Sequence, residues 1–172
     1  NTAGGFNALG ANTTTSYHTA FGAFSLAANT SGIGNTAVGS HSLDANTSGS
    51  ANAAFGRNAL TASTSGSYNT GLGAFALQVN STAVGSNALD ANQTGHSGTA
   101  VGYNALTLST GNNNTAIGRS TLESCTTGFS NVAIGRGALG TNTTGNYNVG
   151  IGLNALTYNT TASDNVAIGA QA

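Results

Sequence analysis

A chain of 172 residues with 4% charged side chains, a formal net charge of -1 and no lysine carries no basic stripe for a phosphate backbone, so no nucleic-acid partner is expected. No apolar run approaches the ~18 residues of a membrane span, and no membrane insertion is expected. Twenty-six glycines, no proline and many Asn, Ser and Thr would suit a disordered tract, yet the apolar residues keep a strict phase that argues for an ordered repeat.

The phase is set by a reference glycine, found at Gly5, Gly22, Gly39, Gly56, Gly73, Gly85, Gly102, Gly118, Gly135, Gly152 and Gly169. Eight of the ten intervals are 17 residues, while Gly73 to Gly85 spans 12 and Gly102 to Gly118 spans 16. Such a period marks a solenoid, in which a coil cannot bury its apolar face without stacking on its neighbours. The expected fold class is all-β: a parallel β-solenoid, or β-roll, of about ten 17-residue coils. Residues 1–172 read as one repeat domain. With no methionine and a start at Asn1 in mid-repeat, it is expected to be a fragment of, or processed from, a longer protein.

Within each coil the columns read as follows. One position before the glycine stand Phe21, Val38, Phe55, Leu72, Val84, Val101, Ile117, Ile134, Ile151 and Ile168, expected to be buried. Four positions after it leucine recurs from Leu9 through Leu77 to Leu156, a second buried column. Two positions before it the residue is always small: Ala37, Ala54, Gly71, Ala83, Ala100, Ala116, Ala133, Gly150 and Ala167. Alternate residues of a strand face opposite ways, so the small column lies on one face. The Val/Ile column, with Thr36, Thr70, Thr115 and Val132 two residues ahead of it, lies on the other. β-branched residues at fixed sites beside Gly favour strand over helix. Each coil then reads as a strand, a bend at the glycine, a second short strand through Ala-Leu, and a return loop such as Thr141 to Tyr147. From Gln78 to Asn80 that loop lacks five residues, which predicts a dent in the outer surface over an unbroken core.

Two asparagine columns complete the repeat. Asn1, Asn35, Asn52, Asn69, Asn114, Asn131, Asn148 and Asn165 open it, and Asn12, Asn29, Asn46, Asn80, Asn92, Asn142 and Asn159 follow the leucine by three. Stacked amides can hydrogen-bond coil to coil as a ladder. The rival reading is glycosylation, since Asn12, Asn29, Asn46, Asn80, Asn92, Asn113, Asn142 and Asn159 sit in Asn-x-Ser/Thr triplets, although an Asn/Thr-rich repeat makes such triplets by arithmetic.

The inventory for chemistry is thin. Asp44, Asp90 and Glu123 share a phase but lie in different coils with no obvious partner, and Asp164 stands apart. His18, His41 and His96 occupy three phases, which speaks against a metal site. Cys125 replaces an Asn or Ser of its column, with no base in phase beside it. No catalytic residue, metal or cofactor is expected. Arg57, Arg119 and Arg136 each follow a reference glycine. Arg119 and Arg136 would stack at about one strand spacing, ~4.8 Å, with Glu123 near enough to help. They are candidates for an exposed basic spot that binds an anionic glycan, against the plainer reading of a solvated rim. Tyr17, Tyr68 and Tyr147 read either as outward platforms or as packing over the loop.

The repeat Asn-Thr/Val-Ala-Val/Ile-Gly-x-x-Ala-Leu, followed by Asn-Thr-Thr-Gly, resembles those of bacteriophage tail-fibre proteins and related bacterial proteins. Its core, Asn165-Val166-Ala167-Ile168-Gly169, is similar to the head repeats of trimeric autotransporter adhesins, though the 17-residue spacing is longer. The resemblance implies a homotrimeric fibre segment exposed outside the cell, on a virion fibre or a cell surface, whose partners are its own copies and a cell-surface glycan or receptor. Two alternatives stay open: a subunit of a self-assembling extracellular filament, and an ice-binding solenoid. Against the latter stands the expectation that the regular Thr column points inward. With two large apolar side chains per coil set against the entropy of ordering the whole coil, a lone chain looks short of burial. The small column from Ala37 to Ala167 is therefore expected to be the trimer contact.

Overall fold

The computed structural model describes residues 1–76, 81–90 and 97–172. Among them, eleven three-residue strands run in sequence order: β1 Thr2–Gly4, β2 Thr19–Phe21, β3 Thr36–Val38, β4 Ala53–Phe55, β5 Thr70–Leu72, β6 Thr82–Val84, β7 Thr99–Val101, β8 Thr115–Ile117, β9 Val132–Ile134, β10 Val149–Ile151 and β11 Val166–Ile168. They form a single parallel sheet in which each strand pairs only with the one before and the one after it. This is the expected β-solenoid, one strand to a rung, and eleven rungs at ~4.8 Å make a stack ~48 Å tall.

The register shows how the chain absorbs its irregular intervals. Thr70 pairs with Thr82 across the 12-residue interval, and Thr99 pairs with Thr115 across the 16-residue one. The sheet passes both without a break. A surface depression lined by Ser67, Tyr68, Ser81, Thr82, Ser97, Gly98 and Thr99 flanks the short coil, whose expected dent from Gln78 to Asn80 lies outside the described residues. Leu77, Gln78, Asn80, Asn92, Gln93 and His96 lie outside the described residues.

Continuity at the bend comes from the reference glycines. Each holds φ between 121° and 139°, and a Cβ built on Gly135 would lie 2.4 Å from the Gly152 carbonyl oxygen of the next coil. The same approach recurs from coil to coil, as at Gly56 against Gly73, also 2.4 Å. No side chain fits where successive coils come this close.

The segment after the glycine departs from expectation. It is not a second strand but a tight turn, with left-handed backbone two and four residues past the glycine, as at Phe24 (φ 58°) and Leu26 (φ 51°). A β-branched residue would be strongly disfavoured there, and a leucine in this region costs about 1–2 kcal/mol. The coils offset that cost with backbone bonds from one to the next, such as Leu26 N–H to Ser42 O at 2.9 Å and Leu139 N–H to Ala155 O at 2.9 Å. The leucine side chains turn inward and are fully buried from Leu26 to Leu139 wherever they are described.

The strand alternates as expected but with its faces exchanged. Ala37, Ala54, Ala83, Ala100, Ala116 and Ala133 are fully buried within the single chain, and Gly71 and Gly150 are buried with them, while Ala167 on the last strand is partly so. This small column is the coil's own core and leaves no surface for a second chain. The reason is width. A Cβ on Gly71 would sit 3.2 Å from Leu60 Cγ and 3.1 Å from the Ala76 oxygen, so nothing larger than alanine fits opposite the leucine. The Val/Ile column correspondingly points out: Phe21, Phe55, Leu72, Ile117 and Ile168 are 38–70% exposed, and Val38, Val84, Val101, Ile134 and Ile151 are half-buried. Among the described residues only one large apolar side chain per coil, the leucine, is fully buried.

Candidate binding surfaces

The outward side of the sheet is built from two columns two residues apart. One is Val/Ile/Leu/Phe; the other is Thr through β8, with Ala53 at β4, and Val from β9 on. Neither contains a charged residue on any of the eleven rungs. Thr70 and Thr82 are exposed, and Thr19, Thr36, Thr99 and Thr115 half-buried. The Thr column thus points outward, opposite to the expectation that weighed against ice binding.

Around the bend, the position after the glycine forms a second exposed column. Tyr103, Arg119 and Arg136 occupy successive rungs of it, tied by backbone bonds from Ser120 N–H to Tyr103 O at 2.9 Å and from Gly137 N–H to Arg119 O at 3.0 Å. Both arginines are exposed, and a shallow depression between them is lined by Arg119, Ser120, Arg136, Gly137 and Asn154. Glu123 does not pair with them: its Oε1 accepts a hydrogen bond from Asn104 Nδ2 at 3.1 Å. His41 Nδ1 lies 2.9 Å from Asp44 Oδ2, a partner for Asp44 that the sequence reading missed. His41 also stacks on Phe24 with ring centroids 4.9 Å apart. The third arginine, Arg57, lies over the Phe75 ring at 4.7 Å. Tyr17 and Tyr68 project into solvent at 82% and 84% exposure instead of packing over the loop. Tyr147 meets Phe129 edge-on at 5.1 Å.

The first asparagine column forms the expected ladder. Asn131 Oδ1 accepts from both Asn148 N–H (2.9 Å) and Asn148 Nδ2 (3.2 Å), and Asn131 Nδ2 donates to Gly145 O at 2.8 Å. The pattern repeats at Asn35, Asn52 and Asn69. The second column is a ladder only in part. Asn46 Nδ2 donates to Asn29 Oδ1 at 3.0 Å, but Asn46 Oδ1 and Ser63 Oγ have no partner, because serine is too short to extend the chain of amides, and Asn142 Oδ1 has none because Asn159 Nδ2 donates to Ala162 O instead. Asn29, Asn46 and Asn142 are fully buried, which removes those triplets as glycosylation acceptors in the folded chain, whereas Asn113 is exposed.

Two ladder substitutions carry titratable groups. His18 takes an opening Asn position and is 2% exposed. Burial holds its pKa below the ordinary histidine value. Its Nδ1 accepts the Asn35 N–H at 3.2 Å, so the proton resides on Nε2, 2.9 Å from Thr15 Oγ1. Cys125 is fully buried. Burial pushes its thiol pKa up, the opposite of what a nucleophile needs, and the thiol donates to Gly128 O at 3.4 Å. Burial likewise raises the Asp90 carboxyl. Among the described residues no cluster of three His, Cys, Asp or Glu could hold a metal, and no helix is long and apolar enough to cross a membrane.

These features define a parallel β-solenoid repeat protein with an uncharged outer sheet and a short cationic and aromatic edge. No protein-family model, curated protein or solved structure matches the chain.

Proposed function

We propose that this solenoid is the structural and adhesive segment of an extracellular trimeric fibre, on a virion or a cell surface, with its outward aliphatic column as the contact between copies. The supporting observation is that column itself, uncharged and aliphatic or aromatic from β2 to β11. The two outward columns cover ~48 Å by ~10 Å, or ~500 Å², at the upper end of what a soluble monomer leaves uncovered. Exchanging the faces leaves one buried large side chain per coil instead of two, which strengthens the case that the lone chain needs cover. The count of three comes from the resemblance of the repeat to fibre and adhesin heads. The test is to replace Ile134 and Ile151 together by Asp and compare sedimentation with the unaltered chain. The expected result is a trimer for the unaltered chain and a monomer with the same strand spectrum for the variant. Unchanged mass in the variant would place the contact elsewhere.

The outward Thr column supports a second reading, an ice-binding solenoid. Inhibition of ice recrystallisation by a stable monomer, abolished by Thr99→Lys with Thr115→Lys, would favour it over the fibre.

A further inference from the structure

We infer that Tyr103, Arg119 and Arg136 form a binding site for an acidic polysaccharide, with a sugar ring on the tyrosine and a carboxylate or sulfate between the two guanidinium groups. This deepens the adhesive part of the fibre reading by naming what is gripped, and it needs only one chain.

The argument starts from a cost. The chain has three cations in 172 residues, and two of them stand on adjacent rungs. Like charges stacked one rung apart on the turn repel unless something neutralises them. Among the described residues nothing does so: neither arginine has a carboxylate within 4.0 Å, and Glu123, the nearest acid in phase, is bonded to Asn104. An anion from outside relieves the repulsion. Backbones ~4.8 Å apart let both side chains converge on one acid group, because two charge-assisted bonds of ~2.8 Å together span more than that separation. The depression between them is also lined by Ser120 and Asn154, polar residues suited to the hydroxyls that flank an acid group on a sugar.

Tyr103 decides the ligand class. It stands one rung beyond Arg119 on the same column and is 50% exposed. An aromatic face beside a guanidinium pair fits a pyranose ring carrying its acid one rung away, whereas a free inorganic anion would gain nothing from it. Arg57 supplies the internal contrast: it is a lone cation resting on Phe75, with no second arginine one rung away.

The experiment titrates the protein with a heparin hexasaccharide, with neutral maltohexaose as control, at several salt concentrations. Expected are salt-sensitive binding of the acidic probe alone and a loss of about tenfold or more in Arg119→Gln with Arg136→Gln. Tyr103→Ser should give a loss of several-fold, and Arg57→Gln no change. An equal loss in Arg57→Gln would show mere charge attraction and overturn the site, as would unaltered binding in the double arginine variant or in Tyr103→Ser. Inorganic sulfate competing as well as the hexasaccharide on a molar basis would also overturn it, because the ring would then contribute nothing. Sedimentation of the same samples reports assembly separately. Failure here would therefore leave the fibre contact standing, and a monomer that still bound the hexasaccharide would sink the fibre contact alone.

Discussion

The carboxyl-terminal coils around β8 to β11 and the middle coils around β5 to β7 keep the same sheet by different means. In the former, Asn114, Asn131, Asn148 and Asn165 run as an unbroken amide ladder. In the latter the ladder passes from Asn69 to Ser81, whose N–H donates to Asn69 Oδ1 at 2.9 Å, then to Gly98, whose N–H reaches Ser81 Oγ at 3.1 Å, and has no side chain to go further. The outer loop is shortened there as well. Yet β5, β6 and β7 pair in register like the rest. The amides and loops can therefore be traded away, whereas the glycine bend and the small inward column cannot.

That contrast can be broken most severely at the bend. Gly135→Ala places a Cβ 2.4 Å from the Gly152 oxygen at a φ of 121°, and should cost ~3 kcal/mol or more in urea unfolding. Gly73→Ala in the middle region, with its Cβ 2.6 Å from Gly85, should be as damaging. Next comes the inward column: Ala133→Leu overfills the core in which Ala133 is fully buried and should cost ~1–3 kcal/mol. It acts on the stability of the single chain, not on assembly, while Asn146→Leu in the outer loop, which loses one bond from the Phe129 N–H, should cost less. The ladder should separate the two regions. Asn131→Ala strands the buried Asn148 N–H and leaves the Gly145 carbonyl with Asn142 Nδ2 as its remaining side-chain donor, a loss of ~1–3 kcal/mol. Ser81→Ala removes one acceptor, from Gly98 N–H, and should cost about 1 kcal/mol.

The smallest effect is a pH dependence at the amino-terminal coils. Because burial depresses the folded-state pKa of His18, the unfolded chain binds the proton more readily. The contribution is full above the unfolded value of ~6.5 and is lost as the pH falls through the window between that value and the lowered folded one. Hydrogen exchange should report earlier opening of β1 and β2 in mild acid, relieved by His18→Asn, which restores the ladder residue.

Much of this architecture was legible in the sequence because it rests on phase. The reference glycines, the buried leucines and the register across the 12- and 16-residue intervals all follow from counting. The faces were not, because alternation fixes which residues share a side but not which side is inside. The signal that could have decided it was the invariance of the small column. A lumen already filled by Leu60 leaves room at position 71 for glycine or alanine alone, whereas the outward column accepts Val, Ile, Leu and Phe. The left-handed leucines were hidden too, since leucine rarely adopts that backbone and only bonds from the neighbouring coils hold it there. At the surface, the arginine pair was found by phase. Tyr103 was overlooked because the tyrosines were compared at another position of the repeat.

The placement of these two columns, and the covering of one of them by other copies, can be read by cysteine labelling in a Cys125→Ser background, a change that Ser63 and Ser109 already make in that column. Cysteine in place of Ala133 should resist a thiol reagent until the chain unfolds. Cysteine in place of Ile134 should react in dilute, dissociated protein and become protected as concentration drives assembly. Rapid labelling at 133 in the folded chain, or a rate at 134 that does not change with concentration, would contradict the account.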